Sequence, residues 1–196
     1  MGKIVCLMGK SSSGKDTVYK RLLQNKENQL KKIVLYTTRP IRAGEKDGVQ
    51  YHFVDENAYR SFLNEGKIIE ERKYDTCHGV WRYFTVNDGQ FDLTSDEKYI
   101  LIGTIEAYNS LKAYFGKEAV SPVLITVDDG VRLKRALERE MKQDNPKYEE
   151  MCRRFLADAE DFSEEKLREA GIERSFNNSD LECCIAQVEE YLRNGH

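Results

Sequence analysis

The chain has 196 residues, of which 40% are hydrophobic and 33% charged, and its formal net charge is −3. That length supports one compact domain with a sizeable core and room for insertions. The slight acidity excludes a global basic field for nucleic acid. No apolar run is long enough for a membrane span, and the N-terminus lacks a signal-peptide pattern. The five cysteines, Cys6, Cys77, Cys152, Cys183 and Cys184, are odd in number and lack Cys-x-x-Cys spacing. Reduced thiols and a cytoplasmic location are therefore expected.

In chain order, Ile4 to Met8 is apolar and short, as in a buried strand, and Val18 to Leu23 has helical spacing. Ile33 to Tyr36 reads as a second strand, followed by a turn-rich stretch from Thr37 to Gln50. Tyr51 to Val54 is extended, and Asp55 caps a helix running to about Asn64. Lys67 to Tyr74 and Val80 to Val86 form two strands about a hairpin turn containing Cys77 and His78. Tyr99 to Gly103 is a strand, Ile105 to Phe115 a helix, and Val120 to Val127 a β-branched strand. Gly130 to Phe162 is helical and highly charged, divided at Pro146. A short helix over Glu164 to Ala170 ends at Gly171. Ile172 to Phe176 is a last strand, and Asp180 to Arg193 is an amphipathic helix, apolar at Leu181, Ile185, Val188 and Leu192. Strands alternating with helices at both ends of the chain imply an α/β fold with a parallel core sheet. The expected core comprises residues 1–34, 87–129 and 160–196, with a β-rich insertion at 35–86 and a helical one at 130–159.

The stretch that organises the chain is Gly9-Lys10-Ser11-Ser12-Ser13-Gly14-Lys15-Asp16-Thr17, between the first strand and the first helix. Strand, glycine-rich loop and helix is the context of a phosphate-binding loop. Two glycines let the backbone curl so that successive N–H groups point at an anion. The helix N-terminus adds partial positive charge and Lys15 a full one. Asp16 stands where a magnesium-binding hydroxyl is usual. Two readings of it stay open: a Mg2+ ligand, direct or through water, or an acid near a helix N-terminus, worth roughly 0.3–1 kcal/mol.

Further on, Tyr36-Thr37-Thr38-Arg39-Pro40-Ile41-Arg42 sets two arginines three apart beside two hydroxyls and a stiffening proline. The planar fork of arginine suits phosphate oxygens. The stretch is either a monophosphate clamp or a solvated basic turn, and Tyr51 either joins it or packs.

These residues together resemble the guanylate kinase family: the phosphate loop, Tyr-Thr-Thr-Arg-Pro-x-Arg, Gly-Glu-x-x-Gly-x-x-Tyr-x-Phe, then a strand carrying Glu70. The resemblance covers nearly the whole chain and is most specific in the first seventy residues. It implies a P-loop three-layer core, a substrate-binding insertion and a helical lid. It also implies transfer of the γ-phosphoryl group of ATP to GMP with Mg2+. Gly9, Ser11, Ser12, Ser13, Gly14, Lys15, Asp16 and Thr17 would hold ATP, and Asn178 matches an Asn near the adenine pocket. Arg39, Arg42 and Tyr51 would hold the GMP phosphate, and Glu70 would accept from the guanine N1–H and 2-amino group. Thr38, Tyr83, Thr85 and Thr104 are further substrate-binding candidates. Lys15, Arg135, Arg139 and Arg154 would be catalytic, the last three closing over the transferred group.

The sequence departs from the family pattern at three places. Leu35 replaces a serine, Tyr83-Phe84-Thr85 stands for Tyr-Gly-Ser or Tyr-Gly-Thr, and Ile102-Gly103-Thr104 stands for Asp-x-Asp. A related P-loop kinase for another nucleoside monophosphate or a phosphorylated ribose is the first alternative. A non-catalytic guanylate kinase-like binding module is the second. The expected assembly is a monomer or small homo-oligomer without nucleic acid or membrane.

Overall fold

The computed structural model describes residues 2–42, 44–76 and 79–194. Its core is a five-stranded parallel sheet built from β1 (Lys3–Met8), β2 (Leu30–Lys32), β7 (Lys98–Ile102), β8 (Val120–Thr126) and β9 (Ser175–Asn177), in the order β2-β7-β1-β8-β9. Strand β1 lies in the middle, and its alternation divides the core. Val5 and Leu7 pack under α1 (Lys15–Gln24) and α7 (Leu181–Arg193), with Val18, Leu22, Ile185 and Val188. Ile4, Cys6 and Met8 pack on the opposite face under α3 (Ile105–Phe115) and α6 (Glu164–Ala170), with Tyr108 and Leu111. Burial on both faces explains why β1 reads as one continuous apolar run.

Local signals set the helix ends. Thr104 accepts the Ala107 N–H to start α3, Asp180 accepts that of Cys183 to start α7, and Gly171 takes φ +72° to stop α6. Strand β2 differs from expectation. The apolar run Ile33 to Tyr36 is a crossover between two sheets: β2 ends at Lys32, and only Tyr36 and Thr37 form the next strand, β3. Ile33 is buried in the core, and its N–H still reaches the Ile100 carbonyl at 3.0 Å. The run is apolar because it passes through the interior.

The second sheet has the order β4-β3-β6-β5, from β4 (His52–Phe53), β3 (Tyr36–Thr37), β6 (Gly79–Val86) and β5 (Ile68–Thr76). Helix α2 (Glu56–Asn64), capped by Asp55 as expected, covers its back with Tyr59 and Phe62 against Phe84 and Val86. Alternation on β5 and β6 therefore turns Glu70, Arg72, Tyr83 and Thr85 to the other face. The turn expected at Cys77 and His78 lies outside the described residues. Helices α4 (Asp129–Glu140) and α5 (Tyr148–Asp161) flank Pro146, and the Lys147 N–H donates to the buried Glu140 carboxylate at 3.2 Å. The described cysteines, Cys6, Cys152, Cys183 and Cys184, are free thiols. No helix among the described residues is long and apolar enough to cross a membrane.

Candidate active site

The loop from Gly9 to Gly14 joins the carboxyl end of β1 to the N-terminus of α1. Its two glycines are required by close approach. A Cβ on Gly9 would lie 2.5 Å from the Ile125 carbonyl oxygen. One on Gly14, where φ is +88°, would lie 2.2 Å from the Asn178 amide nitrogen. Ser12 takes φ +61° between them, an uncommon conformation for a residue with a side chain. Lys15 opens α1, mostly buried, with its ammonium 3.9 Å from the exposed Asp16 carboxylate.

Three long-range contacts fix this loop. Asn178 Nδ2 donates to the Ser13 carbonyl at 2.8 Å, and its own carbonyl accepts from Arg135 Nη2 at 3.3 Å. The structure thus brings together Gly14, Asn178 and Arg135. On the other side Asp158 of α5 accepts the Ser11 N–H at 2.8 Å and the Ser11 hydroxyl at 3.3 Å. Arg132 of α4 donates to Asp158 at 3.1 Å, to Asp129 at 2.8 Å and to the Ser11 carbonyl at 3.0 Å. Its guanidinium stacks 4.5 Å over Phe155, and its side chain is only 1% exposed. Arg132 and Ser13 line a cavity of about 180 Å³ between the loop, the end of β8 and the helices beyond.

The second sheet presents a basic and aromatic face. Arg39 forks onto Glu45, with Nη1 to Oε2 at 2.7 Å and Nη2 to Oε1 at 2.6 Å. The Arg42 N–H donates to the same carboxylate at 2.9 Å. That pairing with Arg39 holds the Glu45 carboxyl down at about 2, burial opposing and Arg42 assisting. The Arg39 guanidinium also lies 5.3 Å from the Tyr51 ring centre and 5.2 Å from that of Phe53. Its Nε is buried and without a protein partner. Tyr51 meets Tyr83 edge-on at 5.5 Å. Burial raises the Tyr51 hydroxyl pKa; Tyr83 and Asp16 add to the rise, while Arg72 and Arg39 oppose it.

Deeper in this face, Glu70 is a buried carboxylate. It accepts from Thr85 Oγ1 at 2.8 Å and from Arg72 through Nε at 3.2 Å and Nη2 at 3.3 Å. Burial works against the Arg72 charge, but the charge and hydrogen bonds of Glu70 together with Tyr74 and Tyr51 leave its pKa above the ordinary value. Beneath them Cys6 is fully buried and pushed up to about 12 by that burial, so it is an inert thiol.

Other candidates lie apart. Thr38 Oγ1, just past the end of β3, accepts the Arg82 N–H of β6 at 3.0 Å. Thr104 caps α3 beside the end of β7. Arg139 is exposed on α4, and Arg154 is exposed on α5 with its Nε 2.7 Å from Glu150. The sequence alone assigns no role to Glu45, Arg72 or Arg132, and it places Asp158 in an acidic run, Asp158 to Glu165, expected on an exposed helix face, whereas the Asp158 side chain is only 14% exposed and bonded to Ser11. Glu45 lay inside a quoted motif. Arg72 stands two residues from Glu70 on a strand, a spacing that puts both on one face. Arg132 and Asp158 meet only through the tertiary fold.

Among the described residues no group of three or more His, Cys, Asp or Glu side chains could hold a metal unaided. Asp16, its side chain 72% exposed, supplies one anionic oxygen. That suits a cation whose remaining ligands are nucleotide phosphates and water.

A glycine-turned anion loop on the middle strand of a parallel sheet, closed by charged helices, defines a P-loop nucleotide-binding protein. The family model described as Guanylate kinase matches residues 1–195, and the chain belongs to that family. It is 28% identical to a guanylate kinase of Helicobacter hepaticus over 139 residues, 71% of this chain and 68% of that one. It is 44% identical to one from Schizosaccharomyces pombe over 68 residues, 35% and 34% of the two chains. A solved guanylate kinase from Anaplasma phagocytophilum superposes with a TM-score of 0.70 at 20% identity, covering 98% of this chain and 85% of that one. At that identity the likeness speaks for the fold alone.

Proposed function

We infer that the protein transfers the γ-phosphoryl group of ATP to GMP, giving ADP and GDP. Family membership supports this, and so do the glycine-turned phosphate loop with Lys15 at the start of α1 and the basic, aromatic face that carries Arg39, Tyr51 and buried Glu70.

The acceptor phosphate is largely a dianion at neutral pH, its second pKa being about 6. Its oxygen attacks the γ-phosphorus as the bond to the ADP oxygen breaks, so no side chain need remove a proton. What the chain supplies is alignment and charge neutralisation. The loop amides and Lys15 cradle the donor phosphates. Arg42, Tyr51 and the remaining Arg39 Nε–H hold the acceptor, with Glu45 fixing the arginine plane. Glu70 reads the base through two adjacent donors of guanine. Arg135 steadies the loop through Asn178, and Arg139 and Arg154 are carried on the lid helices at 130–159, whose closure excludes water from the transfer. Mg2+ held by Asp16 and the nucleotide would screen the charge that develops between the phosphates.

A coupled assay of ADP formation over GMP, AMP, other nucleoside monophosphates and ribose phosphates tests this. The expected result is a kcat/KM for GMP well above every other acceptor. Turnover confined to another acceptor, or ATP binding with no turnover, overturns it.

A further inference from the structure

We propose that Arg72 is a specificity residue for the acceptor base, donating to the O6 carbonyl of guanine while Glu70 accepts from the neighbouring N1–H and 2-amino group. This rests on GMP being the acceptor. Glu70 and Arg72 stand two apart on β5, on the face that also carries Tyr83 and Thr85. Glu70 is buried, its side chain 1% exposed, and Arg72 beside it is mostly covered, its side chain 13% exposed.

A count of lone pairs carries the argument. A carboxylate offers about four acceptor sites. Arg72 takes two and Thr85 one, leaving one on Glu70. Guanine brings two donors, so one present partner must yield. The Thr85 bond, at 2.8 Å, is short. The Arg72 bonds, at 3.2 and 3.3 Å, are long for a charged fork, whose bonds usually measure about 2.7–2.9 Å. Arg72 therefore yields, and a guanidinium this buried needs a new acceptor at once. The guanine edge supplies it, because O6 lies directly beside N1–H. One exchange satisfies the carboxylate, the guanidinium and all three polar groups of the base. Adenine presents a single donor and a single acceptor on the same edge and leaves Glu70 half filled.

The test compares GMP with 6-thioguanosine monophosphate, in which a weakly accepting sulfur replaces O6, for the wild type and Arg72→Met. The wild type is expected to prefer GMP by about 10- to 100-fold in kcat/KM, the scale on which a site built on hydrogen bonds to charged groups rejects an analogue lacking one. In Arg72→Met that preference should collapse towards one, chiefly through loss on GMP. If Arg72 only positions Glu70, both substrates lose equally, and that result overturns the assignment while GMP turnover by the wild type stands. Absence of GMP turnover in the wild type overturns the acceptor itself. Should Arg72→Met fail to fold, a crystal structure of the wild type with GMP decides. Arg72 within hydrogen-bond distance of O6 supports the assignment, and Arg72 still forked on Glu70 and away from the base overturns it.

Discussion

The Asp158 carboxylate accepts the Ser11 backbone N–H at 2.8 Å, so a residue of α5 closes a hydrogen bond with the phosphate loop 147 positions earlier in the chain. The same carboxylate neutralises Arg132, which in turn donates to the Ser11 carbonyl. Both backbone polar groups of one loop residue are thereby tied to the charged helices.

Removing either partner has unequal consequences. Asp158→Ala leaves Arg132, buried at 1% side-chain exposure, with Asp129 as its one carboxylate among those described. Breaking a buried pair in this way costs roughly 3–5 kcal/mol. Arg132→Met leaves Asp158 with its two Ser11 donors, so the loss should be smaller. Urea denaturation of the two variants should rank Asp158→Ala as the less stable. Equal or reversed stabilities would show that the pair does not hold the loop.

The Arg39–Glu45 clamp has a defined acid limit. Glu45 is held at about 2, below the ordinary carboxylate value of 4.5. A depressed carboxylate stabilises the fold fully above its unfolded pKa and loses that contribution as pH falls towards the folded one. The Tm difference between wild type and Glu45→Gln should therefore be constant above pH 5. It should shrink between about pH 4.5 and 2. Melting curves across that range check it; a difference that does not vary with pH argues against the clamp.

Lys15 and Asp16 should separate chemistry from metal use. Lys15→Ala is expected to lower turnover by about three orders of magnitude or more, the scale of losing a preorganised charge at a transferring phosphoryl group. Its far-UV circular dichroism should stay unchanged, because the described ion pair of Lys15 is a loose contact with exposed Asp16. Asp16→Ala should keep turnover at saturating Mg2+ but require more Mg2+ for half-maximal rate. An unaltered Mg2+ requirement removes the metal role of Asp16.

The sequence was most legible where the physics is local. Gly9 to Thr17 announced its loop because close approach and left-handed backbone demand glycine at fixed spacing. Helix α3 could be bounded because a Thr104 cap and Gly116 bracket an apolar pattern. Ile33 to Tyr36 misled because burial, which the apolar run reports, does not say whether a segment pairs in a sheet or crosses between two. Arg132 and Asp158 were illegible for a different reason. Each sits in a charged helical stretch where most side chains are solvated, and only the packing of α4 and α5 against the loop singles them out. For Arg39 the residues alone leave a phosphate clamp and a solvated basic turn both open, because its pairing with Glu45, which fills both Nη groups and leaves a buried Nε–H, forms only in the fold.

In the proposed mechanism two anion cradles, at the phosphate loop and at the Arg39 face, oppose each other across one short gap. Calorimetric binding of adenosine and guanosine joined through a five-phosphate bridge tests this most directly. A dissociation constant at least 100-fold below those of ATP and GMP alone is predicted, because the second contact becomes intramolecular. Binding no tighter than the better of the two nucleotides would contradict the account.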